Sequence, residues 1–292
     1  MIDVVLLGFG GPEASAEIRP FLDRVLAGRR IPQARYEEVA GHYEHLGGRS
    51  PFNELTRAQA RALETELQRR GVAARVCVAF RHAAPFIDDV ARELQNNGTD
   101  VVAVILAAHQ SAAGWDKYGQ AIERAAYLLP FYEHPLFVQA HSMRIRDALS
   151  SLHKADLDDV ELIFTAHSIP QAMADNGPYT AQLARSADLI AQQLGSTRYT
   201  LAFQSRSGSP NEAWLEPDVR DVLAALPGKG ISEAVVAPIG FLCDHVEVLY
   251  DLDVEAAEIA RRSGVRMARA ASLNDHPLFI RMLADLVQQC GV

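Results

Sequence analysis

The chain has 292 residues, enough for one large or two medium domains that each bury a core, and two is the expected number. Hydrophobic residues at 49% and charged residues at 22% argue against a disordered or collagen-like chain. A formal net charge of -9 supplies no basic face for phosphate, which argues against nucleic acid and leaves small molecules and cations open.

The apolar run at 4–7 is too short for a signal-peptide core, and Asp3 stands where basic residues would precede one. No run of about 18 apolar residues occurs, so no membrane span is expected and the chain reads as cytoplasmic. Cys77, Cys243 and Cys290 lack CxxC spacing and cannot all pair, which suits a reducing compartment. They are also too few for an all-cysteine iron–sulfur cluster.

In chain order, residues 4–7 predict a strand and 51–70 an amphipathic helix. Strand 75–80, helix 86–97, strand 101–106 and helix 115–129 follow. Beyond a Pro- and aromatic-rich stretch at 130–135 come strand 162–165, helix 179–194, strands 199–203 and 234–238, and helices 246–262 and 277–290. Short apolar strands alternating with longer helical patterns predict parallel sheets covered by helices on both faces. The expected division is 1–134 and 135–274, with the C-terminal helix 275–292 packing back on the first unit. The cleft between two such units, beyond the carboxyl ends of their strands, is the expected site.

Four segments hold the residues with chemistry. Gly8-Phe9-Gly10-Gly11-Pro12 suits a tight turn or close approach to a flat ligand, or a plain strand-to-helix turn. Glu13 occupies the third glycine position of GxGxxG, which argues against a dinucleotide site. Thr165-Ala166-His167-Ser168-Ile169-Pro170 puts a histidine at a strand end, where neutral imidazole is a candidate base or metal ligand, although such histidines are more often structural. Ser168 lacks the GxSxG elbow of a serine hydrolase.

In the third segment, 238–247, a strand end opens a helix along which Glu247, Asp251 and Glu255 recur every four residues. On an α-helix these carboxylates form a stripe with steps of about 6 Å. The stripe is either a solvated face or, starting beside Asp244 and His245, a path for cations or protons. The fourth segment, 41–51, ends on Ser50 and Pro51, an N-cap and first-turn pair, and reads as a ligand edge or a helix-connecting loop.

LLGFGGPE at 6–13, HYEHLGGRSPFNELTRAQ at 42–59, TAHSIP at 165–170, NGPY at 176–179, AFQSRSGSPNEAWLEPDV at 202–219 and APIGFLCDHVEVLYDLDVE at 237–255 resemble successive motifs of the ferrochelatase family. The resemblance covers nearly the whole chain. It implies an α/β fold of two Rossmann-like domains with parallel four-stranded sheets and a porphyrin cleft between them. The implied activity is insertion of Fe2+ into a free-base porphyrin. It carries over His167 and Glu247 as the catalytic and metal-contacting pair, one on each face of the macrocycle, and Asp251 and Glu255 as a proton or metal relay. Iron is then a substrate, no cofactor is permanently bound, and no iron–sulfur cluster or stable membrane insertion is expected.

VILAAHQSAAGWDKY at 104–118 and FRHAAPFIDDV at 80–90 are more similar to the soluble coproporphyrin-type enzymes, which favours coproporphyrin III over protoporphyrin IX. In that group His42, Tyr43, Ser50 and Tyr118 match substrate contacts, and His82 matches a cleft histidine near the metal. Phe9 stands where many members have a tyrosine able to approach iron. Leu26 and His42 stand where arginines grip propionates, with Arg29, Arg30 or Arg49 as nearby substitutes. Cys243 replaces a usual serine or alanine. Two alternatives remain: a heme or tetrapyrrole binder without catalysis, disfavoured by His167 and Glu247, and a cobalt or nickel chelatase of the same fold, less similar at CDHVEVL.

Overall fold

A computed structural model describes residues 1–28, 31–112, 114–154, 157, 159–196, 198–207 and 212–290. The first half runs β1 (Ile2–Gly8), α1 (Ile18–Val25), α2 (Gln33–His45), α3 (Phe52–Arg69), β2 (Ala74–Phe80), α4 (Ile87–Asn97), β3 (Val101–Ile105), β4 (Ala126–Tyr127) and α5 (Pro135–Ser151). The second runs β5 (Glu161–His167), α6 (Gln171–Asp175), α7 (Tyr179–Leu194), β6 (Thr200–Gln204), α8 (Val219–Ala225), β7 (Glu233–Ala237) and α9 (Val246–Val248). It continues through a π-helix (Leu249–Ala256), α10 (Ala257–Arg262), β8 (Arg266–Arg269) and α11 (Pro277–Gln289).

The strands form two four-stranded sheets, ordered β2-β1-β3-β4 and β6-β5-β7-β8, and every pairing is parallel. Parallel strands buried on both faces are apolar at nearly every position, which is why 4–7 and 162–164 read as unbroken apolar runs. Their side chains still alternate. Val4 and Leu6 pack toward α3 and α11, whereas Val5 and Leu7 pack toward α4. Likewise Leu162 and Phe164 face α5 and α7, while Ile163 faces α8, the π-helix and α10.

The six predicted strands are all present, and two edge strands escaped the apolar pattern. Helix 115–129 is a correction: the chain makes a single 3-10 turn at Trp115–Lys117 and then edge strand β4. Tyr118 and Ile122 turn into the core, Tyr127 Oη accepts the Ile122 N–H at 2.8 Å, and Ala126 pairs with Val102. That tertiary pairing outcompetes a helical pattern interrupted by Gly119. The other edge strand, β8, reads Arg-Met-Ala-Arg, a charged composition that protects an open sheet edge.

The tetrapeptide His-Pro-Leu-Phe occurs at 134–137 and again at 276–279. Each copy starts a helix, with the histidine Nδ1 accepting the N–H of the leucine at 3.2 Å and proline in the first turn. The two phenylalanines, Phe137 and Phe279, meet in the core of the first sheet, with Phe131 at 6.1 and 6.2 Å from them. Helix α5 serves both halves. Phe137 and Ala140 join the first-sheet core, and Val138, Ile145 and Ala148 join the second.

Candidate active site

In each sheet the first strand lies inside, with its second and third partners on opposite sides. The chain therefore crosses over in opposite directions from β5, and a crevice opens at the carboxyl end of that strand. His167 is the last residue of β5, and Glu247 follows β7, its neighbour. The loop after β7 lies directly on β5. Gly240 donates its N–H to the Thr165 carbonyl at 3.1 Å, and a Cβ on Gly240 would sit 2.5 Å from Ala166 Cβ. Only glycine permits that approach.

His167 Nδ1 lies 2.5 Å from the Ser168 carbonyl oxygen. A carbonyl only accepts, so Nδ1 is the protonated donor of this contact. Tyr179 Oη donates to the His167 carbonyl at 3.1 Å and fixes the strand end. Nε2 then faces Glu247 Oε2 at 3.7 Å, with the histidine side chain 31% and the glutamate 47% exposed. The expectation placed one residue on each face of the macrocycle. A flat ring between them needs roughly 7 Å, two van der Waals contacts, more than this separation leaves.

Glu247 is held through its backbone. Its N–H donates to His245 Nδ1 at 3.2 Å, and its carbonyl accepts from Gln204 Nε2 at 3.0 Å. His245 is enclosed with its ring 5.9 Å from Phe52 and 5.1 Å from Phe241. Burial lowers its pKa, more than the nearby Glu247 and Asp244 raise it, so the ring stays neutral and keeps the capping lone pair.

The expected single helix 246–262 is interrupted by the π-helix, a departure that places Asp251 and Glu255 on wider turns. Burial pushes the Asp251 carboxyl up to about 7; the Ser205 hydroxyl that donates to it opposes the shift, and Glu247 and Glu255 add to it. Glu255 pairs with Arg220 at 3.1 Å. A cavity of about 70 Å³ is bordered by His42, Gln204, Ser205, Asp251 and Glu255.

His42, expected near a propionate, stacks on Tyr250 at 3.8 Å and 13°. This joins α2 to the π-helix across the cleft. Phe9, at the end of β1, is exposed and its ring packs on His82 at 4.6 Å and Phe21 at 6.0 Å. Tyr43 is buried against Phe21, and burial raises its phenol. Ser50 is buried behind the glycine loop, where a Cβ on Gly11 would lie 2.7 Å from Ser50 Cβ. Tyr118 is buried in the β1–β3 core, and burial raises it to about 12. Arg29 and Arg30 lie outside the described residues.

The structure thus gathers His167, Glu247, Asp251, Glu255 and His42, and sets Phe9 with His82 at the end of the other sheet's first strand. Sequence reasoning missed Gln204, Ser205 and Tyr250 as contributors. Gln204 is the last residue of β6, beside His167, so the strand-end rule that found His167 also points to it. Cys243 is buried with Gln59 Nε2 3.1 Å from its sulfur, and burial raises its thiol to about 12. Among the described residues no three Asp, Glu, His or Cys side chains gather closely enough to hold a metal, and no helix is long and apolar enough to cross a membrane.

Comparison with solved structures supports the fold: SirB from Bacillus subtilis with Fe3+ superposes with a TM-score of 0.59 at 13% identity, over 99% of this chain and 95% of that one. In sequence, the coproporphyrin III ferrochelatase of Mycolicibacterium vanbaalenii is 38% identical over 98% of this chain and 89% of its own length. The ferrochelatase of Rhodopirellula baltica is 38% identical over 98% of this chain and 85% of its own. The family model described as Ferrochelatase matches residues 2–290. With the parallel two-sheet fold and a histidine–carboxylate pair at the switch point, the chain belongs to the ferrochelatase family, enzymes that insert iron into a porphyrin.

Proposed function

We propose that this ferrochelatase inserts Fe2+ into coproporphyrin III, with His167 and Glu247 working on the same face of the macrocycle. The observation that carries the reading is the 3.7 Å approach of His167 Nε2 to the half-exposed Glu247 carboxylate. Insertion of one Fe2+ displaces two pyrrole protons and strips water from the ion. The Glu247 carboxylate binds the cation, His167 Nε2 accepts a pyrrole proton, and Asp251, poised to about 7 by burial, takes protons onward at neutral pH. Glu255 continues that line, and Phe9 with His82 forms the opposing wall. The substrate is supported by relatives named coproporphyrin III ferrochelatase.

We place the protein in the cytoplasm without an iron–sulfur cluster, a reading supported by three free cysteines, one of them buried. The division at 1–134 with 275–292, and 135–274, is supported by α11 lying in the first-sheet core. Anaerobic assay of the purified protein with Fe2+ and each porphyrin, without lipid or detergent, tests the function. Coproporphyrin III should be metallated faster. Faster turnover of protoporphyrin IX at equal soluble concentration overturns the substrate, and no insertion into either overturns the reaction.

A further inference from the structure

The wide turn that follows Glu247 has a support on its far side. Arg269, the last residue of β8, donates from Nε to Asp253 Oδ1 at 2.6 Å and from Nη2 to Asp253 Oδ2 at 2.9 Å, a two-bond fork. Its Nη1 donates to Asp244 Oδ1 at 2.9 Å and to the Ala270 carbonyl at 3.2 Å. Asp244 is locked from the other side as well. Its Oδ2 accepts from Asn274 Nδ2 at 3.0 Å, and its N–H donates to Asn274 Oδ1 at 2.9 Å. The Arg269 and Asp244 side chains are each 14% exposed, so water screens their contact little.

One guanidinium therefore grips the chain just before Glu247 and again inside the π-helix, between Asp251 and Glu255. In an α-helix a four-residue step overshoots a full turn by about 40°. Closing i→i+5 widens the turn, and across it Asp251 and Glu255 border one cavity with Gln204, which bonds the Glu247 carbonyl at 3.0 Å. Such turns are rare and recur at functional sites. Arg269 bonds to Asp253 within this one.

We propose that Arg269 is a positioning residue for iron insertion: by clamping Asp244 and Asp253 together it holds the π turn that aligns Glu247, Asp251 and Glu255 toward the metal. This rests on the reading of those carboxylates as the iron side of the site. Arg269→Met and Asp253→Asn in the full chain, with the double variant, test it under anaerobic Fe2+ titration. Each single variant should raise the KM for Fe2+ about tenfold, the usual scale for a group that orients metal-contacting residues. Porphyrin affinity, read by fluorescence quenching, should stay within about twofold, and the double variant should be no worse than Arg269→Met because both changes open one clamp.

A lowered melting temperature with wild-type Fe2+ KM and kcat per folded molecule makes the clamp merely structural and overturns the proposal. If Arg269→Met does not fold, Asp253→Asn decides, and an unchanged Fe2+ KM there is equally fatal. Glu247→Gln run alongside separates the two readings. Unimpaired turnover in Glu247→Gln brings down the site itself, whereas severe loss there with normal Arg269→Met kinetics brings down only the clamp.

Discussion

At the scale of single residues, Asp251 is the side chain in which function and stability pull apart. Its folded pKa, about 7, lies above the unfolded value of 3.8. Between those two values the native chain keeps a proton that the unfolded chain has lost, so this group's contribution to stability falls as pH rises through that window. Above 7 the cost is fully present; below 3.8 it is absent. Asp251→Asn removes the ionisation and should stabilise the protein on the order of 1–3 kcal/mol at pH 8 and little at pH 3.5. The same variant should insert iron more slowly, but lose far less than Glu247→Gln, for which a fall of about 100-fold or more is expected. Thermal melts at the two pH values and kcat at pH 7.5 check both halves. Equal activity losses in the two variants contradict the ordering.

At the scale of elements, the paired His-Pro-Leu-Phe starts make two helices depend on neutral imidazole. A protonated Nδ1 cannot accept the leucine N–H, and positive charge is disfavoured at a helix N-terminus. Burial lowers the His276 pKa, helped by Arg144 and opposed by Asp147 and Asp275. A depressed histidine contributes stability that is present above the unfolded value of 6.5 and lost as pH falls toward the folded one. His276→Asn keeps a capping oxygen and removes the titration. Its melting temperature should match wild type within about 3 °C at pH 7.5 and decline less steeply between pH 6.5 and 5. Parallel declines in the two proteins rule out His276 as a source of acid sensitivity.

At the scale of the whole molecule, the cleft exists because the halves are bolted together behind it. Gln59, on α3, sends Nε2 to the Asn274 carbonyl at 2.8 Å, to the Leu242 carbonyl at 3.4 Å and to Cys243 Sγ at 3.1 Å. These partners lie on the loops at either end of the segment that carries Glu247 and the π-helix. In front of them Val246 inserts among Ile18, Phe21, Leu22 and Tyr43, so the first half's helices also set the position of Glu247. Gln59→Leu leaves buried carbonyls without this donor and should cost about 1–3 kcal/mol in urea unfolding. A cost under about 0.5 kcal/mol would mean that apolar packing alone joins the halves.

Six of the eight strands, their parallel pairing and the two residues that meet at the switch point were legible in the sequence. Strands covered on both faces are mostly apolar, and motifs such as Thr-Ala-His-Ser-Ile-Pro name the residues at their ends. Edge strands β2 and β6 kept readable apolar runs, but β4 and β8 were not legible, because β4 has only two residues and β8 reads Arg-Met-Ala-Arg. Four-residue spacing revealed the carboxylate line but not its π turn, since the hydrogen-bond register depends on what grips the helix from outside, here Arg269 across from Asp253. Nor does any local pattern bring His167 and Glu247 within 3.7 Å of each other. That followed from Gly240 closing onto Ala166, a contact between residues far apart in the chain, and only the packed sheet brings them to touch.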